Sequence, residues 1–436
     1  GVILDVVYNH LGPSGNYTGA FSEHYFTRRH VTEWGEAINF DGEQSGPVRE
    51  FVISNAGYWI DEFHLDGLRL DATQAIVDDS PEHICAALAR RAREAAGARS
   101  IVIYAEDDHQ KVHQVQPVER GGYGLDGLWN DDFHHSARVA ATGHAEFYYA
   151  DFLGTPQELI SAVKWGYLYQ GQWNVRKQMF RGSPTWNLKA ARFVNFLQNH
   201  DQVANSSHGD RLHRVTSPGR HRALTALLLL APETPMLFQG QEFSASAPFH
   251  YFVDHEVDLA NLVREGRWEF MRHFRSVAGR EVEASLIDPT ARGTFEQCKL
   301  DWRERDRNTE SLALHRDLIA LRRDDAVFSS QNSSNIYGAV LAEEAFLLRY
   351  LGQEQDDRLM LVNLGRDLHW RPAAEPLMAP PWSMHWSVLW SSEHPRYGGS
   401  GTALLDIKDW YIPGHATIVL KPRPPQEQSP DETDGG

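Results

Sequence analysis

Short apolar runs recur along the chain between longer stretches with helical spacing. Val2 to Tyr8, Leu65 to Leu70, Ile101 to Ala105, Phe193 to Leu197 and Pro235 to Phe238 are each bounded by turn-forming or polar residues. Such runs predict parallel strands buried on both faces, separated by crossover helices. The stretch Pro81 to Ala96 follows Ser80, a predicted N-cap, carries Glu82 in its first turn and stops before Gly97, so it predicts one of those helices. A second predicted helix, Ser311 to Arg323, carries Leu312, Leu314, Leu318, Ile319 and Leu321, with paired charges at its end. From about Ile336 the texture changes to short runs such as Phe346 to Leu351, Leu359 to Leu364 and Ala416 to Leu420, which suit a small antiparallel β-sandwich. The expectation is an α/β region over residues 1–330 and a sandwich over 331–421. Residues 422–436, rich in Pro, Gln, Asp and Glu with no apolar face, are predicted to be disordered.

Length agrees with this division, since 436 residues exceed one ordinary domain and suit a large one with a satellite. The net charge of -17, from 59 acidic and 42 basic residues, argues against a nucleic-acid partner, which needs concentrated Lys and Arg. A neutral, sugar-like substrate fits better. The 13 Trp and 15 Tyr serve either as core filling or as flat platforms for sugar rings. With only Cys85 and Cys298 there is no disulfide framework to infer, and a reducing cytoplasm is the expected location. The longest apolar run, near Ala226 to Ala231, is broken by Pro232 and Glu233, well short of the roughly 18–20 residues that span a bilayer, so no membrane association is expected. The chain opens on Gly1 and then directly on an apolar run, a start that reads as an internal cut.

Four of the runs end in polar residues that a packed core would not choose, and the carboxyl ends of parallel strands are where active sites are built. In the first, Asp5 sits inside an apolar run with Asn9 and His10 at its exit. An interior carboxylate needs partners. In the second, Arg69 and Asp71 stand two apart on a strand and share a side, so the guanidinium favours the ionised form that a carboxylate nucleophile requires. In the third, a strand of core residues runs straight into Glu106, Asp107 and Asp108. A Glu among carboxylates at an apolar mouth is expected to be pushed toward the protonated form of a general acid. In the fourth, Asn199, His200 and Asp201 cluster at a strand end, able to bond hydroxyls and to add a fixed negative charge. Retaining glycoside hydrolysis needs one ionised nucleophile and one protonated acid about 5 Å apart, a separation that adjacent parallel strands can supply to Asp71 and Glu106.

These four segments, in this order, resemble the signature regions of the α-amylase superfamily. The resemblance implies a (β/α)8 TIM barrel, with Asp71 as nucleophile, Glu106 as acid and base, and Asp201 as transition-state stabiliser. It also implies that Asp5, His10, Arg69 and His200 line the subsite of the sugar being cleaved. A second layer, Trp129 to His135, Glu146 to Phe152, His200 to Asn205 and Val263 to Arg267, is similar to the maltooligosyltrehalose trehalohydrolase family. That family's reaction is hydrolysis of the α-1,4 bond beside the terminal trehalose of a maltooligosyltrehalose, with no cofactor and no metal. Asn130, Asp131, Asp132, His134 and His135 are then expected on the leaving side, over Arg69 to Gln74, with Gln202 and Asn205 among the substrate-binding residues. By itself, Asn-Asp-Asp-Phe-His-His also reads as an Asx-turn with surface histidines, or as a metal site. A synthase that builds the trehalose end of maltooligosaccharides is the implied functional partner.

Gln74 replaces the family's usual His, and Phe238 to Glu242 replaces a more familiar Met-Gly-Glu-Glu run. The segment resembling the family's third barrel strand begins at residue 2, so the expected fold is a barrel lacking its first two strands. Such a remnant has exposed sheet edges. The expectation is a fragment that is inactive or barely stable alone.

Overall fold

The computed structural model describes residues 1–275, 286–371, 374–402 and 410–424. It divides into two compact units. The first comprises Gly1–Asp132, Gly166–Asn195 and Val253–Val263, and the second Phe133–Trp165, Phe196–Phe252 and the chain from Arg264 onward.

The first unit is built on a parallel half-barrel. Its strands are β1 (Ile3–Val6), β2 (Gly67–Leu70), β3 (Val102–Ala105), β4 (Gly127–Trp129) and β5 (Phe193–Phe196), adjacent in that order. All pair in parallel, with Asp5 opposite Arg69, Arg69 opposite Tyr104, Ala105 opposite Leu128 and Trp129 opposite Val194. Strand β4 is too short and too close to polar residues to register as an apolar run. Strand β2 is buried along its whole length, and its first residue must be glycine: a Cβ on Gly67 would sit 2.2 Å from the Val102 carbonyl oxygen. Among the described residues, strand β1, expected to be fully buried, pairs with β2 at the edge of the sheet, and Val2, Ile3 and Val7 are exposed.

Two helices cover this sheet. Helix α1 (Ser45–Asp61) buries Val48, Val52, Ala56 and Ile60 at helical spacing, and α2 (Ile84–Ala96) packs on it with a face of Leu88, Ala89 and Ala92. The start of α2 differs from the prediction. His83, not Ser80, is the N-cap, accepting from the Cys85 amide at 3.2 Å, because the Ser80 amide is bound to Asp78, whose other oxygen takes the Ile84 amide. Its end is as expected, with Gly97 at φ 57.

In the second unit, β6 (Thr234–Met236) corresponds to the last apolar run. Helix α3 (Pro218–Leu230), capped by Ser217, is apolar nearly all round and buries residues 223–230. It packs against α4 (Thr309–Asp324) and against an antiparallel sheet ordered β7 (Ile336–Ala342), β8 (Ala345–Tyr350), β9 (Arg358–Asn363), β11 (Ala416–Arg423), β10 (His385–Ser391). Arg220 pairs with Glu344 and Arg222 with Glu393, each at 2.7 Å, which fixes α3 to that sheet. A short ladder, Leu368–Trp370 with Trp410–Ile412, contributes Trp410 and Ile412 to the same core as Leu347, Leu361 and Trp386. The expected tail begins inside β11, which runs through Arg423, and residues 425–436 lie outside the described residues. Cys85 and Cys298 are both buried thiols. Among the described residues no helix is long and apolar enough to cross a membrane.

Candidate active site

Parallel pairing in register brings the carboxyl ends of β1, β2 and β3 side by side. The Asp71 amide donates to the Val6 carbonyl and the Glu106 amide to the Leu70 carbonyl, so both residues leave the sheet at the same level. Arg69 ties them together. Its Nη1 donates to Asp5 Oδ1 at 2.8 Å and to Asp71 Oδ1 at 2.6 Å, and its Nη2 donates to Glu106 Oε2 at 2.5 Å. The residue is 5% exposed, and its guanidinium lies 4.1 Å from the centre of the Trp129 ring. Burial opposes its charge, but Glu106, Asp5 and Asp71 outweigh that and hold Arg69 above its ordinary value.

Asp5 departs from the buried position expected of it. Its side chain is 52% exposed, yet it is bonded to Arg69. The carboxylate cluster at the end of β3 also differs from expectation. Asp107 accepts from the amides of His109 and Lys111 and from the Gln114 side chain, and Asp108 pairs with Lys177. Burial raises the Asp108 carboxyl, yet Lys177 and Arg181 hold it below its ordinary value. These two groups are thus turned to other partners, and a guanidinium touches Glu106.

Three contributors were given no role in the sequence reading of the site, although Asn9 and Trp129 lie within its motifs. Asn9, fully buried, donates from Nδ2 to the Asp71 carbonyl at 2.9 Å and to Asp71 Oδ2 at 2.8 Å. Trp129 stacks on Arg69. The turn after Asp71 is the third: Ala72 adopts φ 38, ψ 53, a left-handed conformation that costs a non-glycine residue roughly 1–3 kcal/mol. This directs the Ala72 amide to Glu106 Oε2 at 3.2 Å, while Thr73 donates its amide and hydroxyl to the Glu106 carbonyl at 2.9 and 2.6 Å. The sequence placed Asn9 at the exit of its strand but did not say that it faces Asp71. Nothing in the sequence marks a left-handed alanine.

His10 is bonded to the Asn9 side-chain oxygen and stacked on Trp34 at 4.6 Å. Burial lowers its pKa, although Asp71 and Glu33 oppose this. Gln74 accepts from the Asp108 amide at 3.4 Å. Asn130 and Asp132 are fully buried. Asn130 donates to the Gly166 carbonyl and to Asn195, and Asp132 accepts from the amides of Leu168 and Tyr169 and pairs with Arg181 at 3.1 Å. Asp131, half-buried, opens the helix Asp131–Thr142.

The remaining expected residues belong to the second unit. His134 and His135 are buried with Nδ1 atoms 3.0 Å apart, His134 against Phe196 and His135 against Tyr148, Tyr149 and Phe152. Burial pushes His134 down to about 3. Gln202 Oε1 accepts from the hydroxyls of Tyr148 and Tyr149, and Asn205 Oδ1 accepts from Arg267 at 2.6 Å. Asp201 and His200, paired at 3.4 Å, start a one-turn helix whose cap, Asn199, accepts from the Gln202 amide; both side chains are open to solvent. Among the described residues, His30, Asp41 and Asp79 could bring donor atoms within 4.8 Å of one another, but Asp41 already accepts from His30, from Arg29 and from the Asp79 amide.

A family profile described as a domain of unknown function (DUF3459) matches residues 334–419, the region of the antiparallel sheet. The chain is 39% identical over 371 residues to a malto-oligosyltrehalose trehalohydrolase of Deinococcus radiodurans, covering 84% of this chain and 59% of that protein. It is 38% identical over 413 residues to the Mycobacterium tuberculosis protein of the same name, covering 93% of this chain and 67% of that one. Among solved structures it resembles a putative alpha amylase from Salmonella typhimurium, with a TM-score of 0.79, 32% identity and coverage of 96% and 68%. The chain thus spans between about half and two thirds of the curated relatives it matches.

Proposed function

Because the chain belongs to the malto-oligosyltrehalose trehalohydrolase family, we propose that it carries the catalytic centre for hydrolysing the α-1,4 bond between a maltooligosaccharide and its terminal trehalose. The observation that carries this is Arg69 held between Asp71 and Glu106. One guanidinium bonded to an oxygen of each holds the two carboxyl groups on the same side of the sheet as neighbours, which supports a retaining mechanism, whose two carboxyl groups stand about 5 Å apart.

In the first step an Asp71 oxygen attacks the anomeric carbon, the bond from that carbon to O4 of trehalose breaks, and Glu106 gives its proton to that oxygen. In the second, water gives a proton back to Glu106 and attacks the same carbon, which releases Asp71 and a maltooligosaccharide. Asp201 supplies a fixed negative charge beside the oxocarbenium-like transition states. Asp5, His10, Arg69 and His200 line the subsite of the cleaved glucose, and Gln74, Asp131, Gln202 and Asn205 bind on the trehalose side. Asn130 and Asp132 act from beneath by holding the backbone of Gly166 to Tyr169 and the Arg181 side chain. His134 and His135 support the same side through packing. A synthase that makes trehalose ends supplies the substrate, in the cytoplasm, and no cofactor enters the chemistry.

The test is product analysis with maltotriosyltrehalose and, separately, maltopentaose. Free trehalose from the first with little attack on the second, both lost in Asp71→Asn, is the expected result. Comparable cleavage of both substrates would make the protein a general α-amylase, and α-1,6-linked products would make it a branching enzyme.

A further inference from the structure

In the first unit, away from the groups that Arg69 gathers, an open pocket of about 350 Å3 is lined by Gln116, Arg120, Trp186, Asn187, Lys189 and Arg192 among others. That volume is within the range of about 300–1,000 Å3 typical of small-ligand sites. Its position is set by hydrogen bonds. Arg192 donates to the carbonyls of Leu125 and Asp126 at 2.8 and 3.0 Å, and the Asp126 carboxylate accepts from the Ile103 amide at 2.8 Å. These contacts mark the entry to β4 and the amino-terminal half of β3, whereas Asp71 and Glu106 follow the carboxyl ends of β2 and β3. At a rise of about 3.3 Å per residue, the strands alone put roughly 10 Å between the two places.

The lining has the chemistry of a sugar site. Trp186 is 74% exposed, so its ring does not serve as core filling. A flat indole offers dispersion contact to the apolar face of a pyranose. Around it, Arg120 and Lys189 only donate hydrogen bonds, while Gln116 and Asn187 both donate and accept, the combination that rows of hydroxyls require. Arg192 is paired with Asp126 at 3.5 Å, which leaves Arg120 and Lys189 as the basic side chains of the lining beside the exposed indole.

We propose that this pocket is a second, non-catalytic binding site for a linear α-1,4-glucan, with Trp186 as its platform. It rests on the reading that the protein acts on α-glucan chains. Its task is to hold polymeric or long-chain glucan on the protein while the far end reaches the catalytic carboxylates, so it affects long substrates only.

The experiment is native gel electrophoresis of the intact chain through a matrix with and without glycogen, run alongside trehalose release from maltotriosyltrehalose. Trp186→Ala is expected to weaken retardation by glycogen roughly fivefold, the scale of losing one aromatic contact. Trehalose release from the short substrate is unchanged, and Trp186→Phe, which keeps a ring, recovers part of the retardation. Equal retardation of parent and Trp186→Ala overturns the proposal. So does loss of retardation in inorganic phosphate at constant ionic strength, because the pocket is then an anion site. If Trp186-dependent retardation is present but maltotriosyltrehalose yields no trehalose, the second site stands and the catalytic reading fails. If trehalose is released but retardation does not depend on Trp186, only the second site fails.

Discussion

Arg69 places one positive charge against three carboxylates, and two of its bonds set the relative orientation of Asp71 and Glu106. A lysine there keeps the charge but not the planar fork, so its three donors, all on one nitrogen, cannot reproduce a bridge made from two separate nitrogens. Arg69→Lys is expected to lower kcat/KM by about 10²-fold, the cost of a misplacement of about 1 Å at reacting groups. Steady-state kinetics on maltotriosyltrehalose measures it, and a loss under threefold would show that the bridge does not orient the carboxyl groups. Asn9 has a narrower task, presenting two hydrogen bonds to Asp71. A bond to a charged group contributes about 1.5–3 kcal/mol, so Asn9→Ala should reduce kcat roughly 10- to 100-fold. KM should change little, because the bond steadies the nucleophile rather than the sugar. A change confined to KM would assign Asn9 to substrate binding.

At the scale of elements, the site depends on how closely β2 and β3 approach. Gly67 faces the Val102 carbonyl at a distance where no Cβ fits, and the obstacle is backbone, which cannot rotate away. Gly67→Ala must therefore part the two strands at their amino-terminal ends, with an expected cost of roughly 1–3 kcal/mol. Because Asp71 and Glu106 ride on these strands, activity should fall along with stability. Urea unfolding followed by circular dichroism, with kinetics in parallel, tests both; an unchanged midpoint would mean that the sheet yields locally. The strand-end motifs were legible because polar residues interrupting an apolar run have few places to go in a parallel sheet except its carboxyl edge. The beginning of α2 was not legible, since Ser80 and His83 are both competent caps and the choice is made by Asp78, which binds the Ser80 and Ile84 amides at once.

For the whole molecule, buried histidines make stability depend on pH. Burial holds His134 and His221 near 3 and His83 near 4, against about 6.5 in an unfolded chain. The folded state excludes a proton that the unfolded state accepts, so these groups contribute fully above pH 6.5, and their contribution is lost as pH falls toward their folded values. Each contributes a slope of up to about 1.36 kcal/mol per pH unit over that window. The unfolding temperature should thus be flat with respect to these residues above pH 7 and fall steadily from 6.5 to 4. In His134→Gln the fall should be shallower by one histidine's share, and an identical profile would remove His134 from the account.

By itself the sequence determined the alternation of strands and helices, the change to antiparallel strands after Ile336, and the residues at the ends of β1, β2 and β3. Each follows from short-range rules: periodicity, capping, and the exclusion of charge from a packed interior. Only the tertiary structure decided which of those polar residues meet. The sequence gathers Glu106, Asp107 and Asp108 into one acidic run, whereas lateral strand pairing gives Glu106 to Arg69 and turns its neighbours to Lys177 and the amides of a following loop. It reads Asn130 and Asp132 as ligands for sugar, but they are buried against the backbone of a segment some 36 residues further on. In each case the deciding contact joins residues distant along the chain, and pattern alone does not say which strands will lie side by side.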